Sequence, residues 1–182
     1  QSILGVGTNL KYYIELGTVF YDITPIRATT AAGDVTFAAT NGSATITVAD
    51  VGNGVGIGDF VTFSGAVGLG GVITAEVLNK EYEVVSFIDN DTYTVTSAVA
   101  ADASDIGNGG SSVVGAYQLT IGSPVEQALT GWGAGPYSFG TWGNGTATSL
   151  EALRIWNHQN FGEDLIYGPR GGGIYYWDAT NG

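Results

Sequence analysis

Short runs of β-branched and aromatic residues, each closed by a glycine, Asn or Asp turn, recur at roughly ten-residue intervals through this chain. That rhythm constrains the fold more than any other feature, because residues of this kind fit a pleated surface and the turns between them are tight. Leu10–Glu15 and Thr18–Ile23 flank Gly17, and Thr24-Pro25 closes the second run, since proline cannot donate to a ladder. Val35–Ala38 and Ala44–Val48 flank Asn41-Gly42, a strong hairpin signal. Phe60–Phe63 alternates as a strand, Glu81–Ile88 and Thr92–Thr96 enclose an Asp89-Asn90-Asp91 turn, and Val113–Ile121 forms a further run. A single helical turn is predicted at Thr74–Lys80. The reading is an all-β protein, with a small sandwich or barrel over residues 28–122.

The rest of the chain is expected to frame that module. Residues 1–27 carry strands that pack with the C-terminal part. Residues 123–145 form a glycine–aromatic loop, anchored by Trp132, Tyr137, Phe139 and Trp142. Residues 146–182 hold short strands at Leu153–Trp156, Asp164–Tyr167 and Ile174–Asp178, most of a β-meander or a propeller blade. The module is thus an insertion between strands of a second β-domain. The chain ends on Asn181-Gly182, where a hairpin turn belongs, so a following strand is expected from a longer protein or a partner. Methionine is absent, and Gln1 is not expected to be the translated start.

Composition narrows the function. Charged residues make up 12% of 182, about half the usual fraction of roughly 25%, while Gly (30 residues) is abundant. The net charge is −12, and Lys11, Arg27, Lys80, Arg154 and Arg170 are scattered singly. A phosphate-binding surface needs clustered cations, so neither specific nucleic-acid binding nor attachment to an anionic membrane is expected. No run approaches the ~20 apolar residues of a membrane-spanning helix. Without cysteine there are no disulfides, thiolate metal sites or thiol nucleophiles.

Candidate chemistry is sparse. His158 is the sole histidine, and a general base needs an orienting carboxylate and a nucleophile or water. Glu163 and Asp164 lie near it in sequence and Ser149 upstream, but there is no Gly-x-Ser-x-Gly elbow. Glycoside cleavage needs two carboxyls about 5–10 Å apart across a cleft. Neighbours on a strand point to opposite faces, which makes Glu163 and Asp164 a poor pair. The structural expectation is that one of them pairs with Arg170 across the hairpin. The Asp89-Asn90-Asp91 and Asp102–Asn108 stretches do not match a calcium loop, and Gly52–Gly58 lacks phosphate-loop spacing. No cofactor, metal or catalytic residue is assigned. Trp132, Tyr137, Trp142, Trp156, Asp164, Arg170, Tyr176 and Trp177 are assigned as structural or interface residues. Sugar stacking on Trp132, Tyr137 and Trp142 is the alternative.

The order of several motifs resembles one class of bacteriophage tail structural protein. Gly58-Asp59-Phe60-Val61-Thr62-Phe63-Ser64-Gly65, Gly71-Val72, Leu78-Asn79, Tyr82-Glu83-Val84 and Asp91-Thr92-Tyr93-Thr94-Val95 resemble a small β-domain often inserted in such proteins. Phe20–Arg27, the Gly131–Gly143 tract and the stretch from Trp156 to Asp178 resemble their flanking parts, whose continuation is propeller-like. The resemblance implies a non-enzymatic virion protein of the nozzle or tail tube-end type, assembled in the host cytoplasm. Its implied partners are copies of itself and other tail proteins, with host-surface glycan as a further candidate. The alternative is a carbohydrate-binding or adhesin-like module on a virion or bacterial surface.

Overall fold

A computed structural model of the 182-residue chain describes residues 4–103, 107–123 and 153–181. The protein is all-β: the described residues form fourteen strands in four antiparallel sheets, none closed into a barrel, and one short α-helix. The chain divides into two compact units: Pro25–Thr120, and Gln1–Thr24 with Ile121–Gly182.

The first unit contains β1 (Leu4–Gly7), β2 (Tyr12–Leu16) and β3 (Val19–Asp22), in that order in one sheet. The second unit contains β4 (Ile26–Thr29), β5 (Thr36–Ala39), β6 (Thr45–Ala49), β7 (Phe60–Ser64), α1 (Ala75–Leu78), β8 (Glu81–Glu83), β9 (Ser86–Asp89), β10 (Thr92–Thr96) and β11 (Val114–Gln118). The first unit resumes with β12 (Trp156–Phe161), β13 (Asp164–Pro169) and β14 (Tyr175–Trp177), a three-stranded meander.

The unit from Pro25 to Thr120 is a sandwich of two four-stranded sheets, ordered β5-β6-β10-β9 and β4-β11-β7-β8. Its core follows directly from period-two alternation: Ile46 and Val48 on β6 and Val61 and Phe63 on β7 are buried, while their neighbours are not. Phe37 and Phe63 meet edge to face with centroids 4.9 Å apart. The β5–β6 hairpin turns at Asn41-Gly42, where Gly42 takes a φ of +84°. The Glu81–Ile88 run is two strands, not one. β8 pairs with β7 in one sheet and β9 pairs with β10 in the other. At the crossing, Val84 donates its N–H to Asp59 O and Val85 donates to Thr94 O, both in bonds within ordinary range. The chain therefore changes sheet without leaving backbone donors unpaired.

A polar chain is buried within this sandwich. The Tyr117 hydroxyl donates to Asp50 Oδ2 at 2.5 Å and lies 2.9 Å from the Tyr93 hydroxyl. The Arg27 guanidinium stands 5.3 Å from the Tyr117 ring centroid and donates to Asn53 O and Gly54 O.

Candidate functional site

The other unit has the smaller core. Tyr12, Ile14, Leu165 and Tyr167 are buried, with Ile23, Trp156, Tyr175 and Trp177 packed against them. Aromatic rings dominate it: Tyr12 lies 4.9 Å from Tyr167 and 5.0 Å from Trp156 between centroids. Trp156 Nε1 donates to Thr8 O at 2.8 Å, and the Arg154 guanidinium covers the Trp156 ring. The Tyr167 hydroxyl donates to Ile23 O. Burial raises the Tyr167 pKa, and the neighbouring Tyr12 and Asp22 add to the shift. Lys11, itself buried, pairs with Asp22 at 2.7 Å.

A pocket of about 550 Å³ opens within this unit. Gly5 of β1, Ile14 of β2, His158 and Asn160 of β12, Glu163 and Asp164 at the β12–β13 turn, and Trp177 of β14 contribute to its lining. Glu163 sits in the two-residue turn with Gly162, not on a strand, so strand alternation does not separate it from Asp164. Both acids line the same pocket. The sequence-based expectation that they face apart is corrected on that ground.

Asp164 is fully engaged. Its Oδ2 accepts from the Tyr176 hydroxyl and its Oδ1 accepts from Ala179 N at 3.1 Å. The hydrogen bond to Asp164 pushes the Tyr176 pKa up to about 12. Among the described residues, no ion pair joins Arg170 to Glu163 or Asp164, which corrects the expected clamp. Asp164 opens the six-residue β13 and Arg170 follows its last residue, so about 20 Å of extended strand separates them. The Arg170 backbone instead donates to Ile155 O at 2.7 Å, while its side chain is exposed. Asp178, outside the pocket lining, accepts from Thr180 N and Asn181 Nδ2, and these bonds hold its pKa below the ordinary carboxylate value.

The structure thus brings Asp164, Tyr176 and Trp177 together, places Trp156 in the aromatic core, and sets Arg170 apart. Trp132, Tyr137 and Trp142 lie outside the described residues. His158 lines the pocket, with its ring 6.0 Å from that of Tyr12, and among the described residues no carboxylate is hydrogen-bonded to it. Among the described residues, no three His, Cys, Asp or Glu side chains gather as metal ligands, and no helix is long and apolar enough to cross a membrane. Sequence reasoning missed the role of Tyr12. It is fully buried, and its hydroxyl has no hydrogen-bond partner among the described residues. A Cβ built on Gly5 would lie 2.3 Å from that hydroxyl and 3.4 Å from His158 Cε1, so the hydroxyl is packed against Gly5, itself a lining residue. The sequence signal was only that Gly5 interrupts a strand.

No family model and no curated protein matches the chain. Among solved structures it is similar in part to the phage phi92 endosialidase, at 23% identity and a TM-score of 0.40. The likeness covers 63% of this chain and 18% of that one, so this chain spans under one fifth of that protein's length.

Proposed function

We propose that this chain is a non-enzymatic structural protein of a bacteriophage tail, of the nozzle or tube-end type, that acts by packing against neighbouring subunits. One observation carries the assembly part of the reading. Among the described residues, the exposed aromatic side chains are Phe20, Tyr21, Phe161 and Tyr176 on one unit and Phe87 alone on the other. All four residues of β3, Val19–Asp22, are exposed, and β3 is an edge of its sheet. An open apolar edge is a template for pairing with another chain and is ordinarily blunted by charge or covered. Here neighbouring subunits cover it. The tail setting is supported by the order of sequence motifs from the Phe20–Arg27 stretch to Asp178.

The sandwich unit supplies a separately cored module carried by that assembling frame. Sedimentation of the purified chain over a wide concentration range tests the proposal. Concentration-dependent oligomers are expected. A species that stays monomeric at every concentration contradicts it.

A further inference from the structure

We infer that the Glu163 pocket is a socket for a guanidinium group, and that its occupant is Arg170 of a second copy of this chain. The inference rests on the assembly reading above and specifies the contact that would orient it.

The pocket is rich in acceptors and, among the described residues, contains no lysine or arginine. Asp164 is occupied by Tyr176 and Ala179, which leaves Glu163 as the carboxylate with no hydrogen-bond or ion-pair partner among the described residues. The Tyr12 ring, fully buried beneath Gly5, backs the lining without opening to it. Trp177 adds an aromatic surface and Ile14 an apolar one. A planar cation with several N–H donors suits this lining: it donates in a fork to Glu163 and stacks on the indole. A neutral ligand would leave the Glu163 charge uncompensated.

The same strand provides the complementary group. Glu163 immediately precedes β13 and Arg170 immediately follows it. The Arg170 guanidinium is exposed and makes no hydrogen bond or ion pair among the described residues. An acceptor socket at one end of a strand and an unpaired cation at the other form a heterologous, head-to-tail contact. Such a contact closes into a ring or continues as a tube when repeated by rotation.

The test is a charge exchange in the full chain, read as the association constant by sedimentation equilibrium. Glu163→Arg and Arg170→Glu are each expected to weaken association at least tenfold, and the double variant to recover to within about threefold of the unaltered chain. Arg170→Lys keeps the charge but loses the fork, and is expected to fall between. Lys80→Glu makes the same net-charge change as Arg170→Glu on the other unit, and is expected to leave association intact. N-acetyl-arginine amide is expected to compete with association, and a neutral oligosaccharide is not. Thermal melting confirms that each variant folds. The inference is overturned if the unaltered chain associates but the single exchanges have no effect, if the double variant stays as weak as the worse single, or if the oligosaccharide competes where the arginine amide does not. A chain that never associates overturns the assembly reading itself.

Discussion

Tyr117 on β11 donates its hydroxyl hydrogen to Asp50, which follows β6 in the opposite sheet, at 2.5 Å. This bond joins the two sheets of the sandwich through their core. Tyr93 completes the chain by donating to Tyr117. Tyr117→Phe removes the donor to a buried carboxylate and the acceptor for Tyr93. The expected loss is about 1–3 kcal/mol in urea unfolding of the sandwich. A change below about 0.5 kcal/mol would show that this chain of hydroxyls does not hold the sheets.

Two carboxylates are expected to give opposite pH signatures. Burial raises the Asp50 pKa, the Tyr117 hydrogen bond partly opposes it, and the charges of Asp34 and Asp91 add to the rise. Its protonated form therefore favours folding: that contribution is complete below the unfolded carboxyl value near 3.8 and is lost as pH rises through the folded value. Burial also works against the Asp22 charge, but hydrogen bonds from Lys11 and Thr24 overcome it and lower the pKa. That contribution is present above the unfolded value and is lost as pH falls through the folded one. Urea midpoints measured from pH 3 to 7 should show Asp50→Asn gaining on the unaltered chain as pH rises and Asp22→Asn falling behind it. Parallel curves would contradict the assignment.

Two glycines separate backbone strain from steric conflict. Gly42 has a φ of +84° with open space around a built Cβ, so Gly42→Ala should cost about 1 kcal/mol. Gly65 has a φ of +72°, and its Cβ would lie 2.2 Å from Ser112 O, a backbone atom that cannot swing aside. Gly65→Ala should cost about 3 kcal/mol or more, through strain and displaced backbone together. Equal losses in chemical denaturation would contradict this placement of the Ser112 segment.

The parts of the fold that were legible in the sequence are the locally encoded ones. The Asn41-Gly42 hairpin, the alternation of Ile46 with Val48 and of Val61 with Phe63, and the single turn of α1 need only neighbouring residues for their explanation. Strand β1 was not legible, because Gly5 and Gly7 erase its pattern. Both leave space for rings from elsewhere: Tyr12 beneath Gly5 and Trp156 beneath Gly7. Strand β4 was hidden by Pro25, and the change of sheet at Val84-Val85 lies within a run, Glu81–Ile88, that contains no glycine, proline, Asn or Asp to mark a break. In the pocket, sequence proximity suggested Arg170 as the partner of Asp164. Register decides otherwise: β14 pairs Tyr176 with Ile166, which sets Tyr176 diagonally beside Asp164. The Tyr12 hydroxyl meets Gly5, a lining residue, only through tertiary packing, which no local pattern records.

Covalent footprinting of the assembled and the dissociated chain tests the central claim most directly. The account predicts that Phe20, Tyr21, Phe161, Ile174 and Tyr176, all exposed in the single chain, become protected on assembly, while Val51, Ile57 and Phe87 of the sandwich stay accessible. Protection confined to the sandwich, or no protection of β3 and β14 in the assembled state, would contradict it.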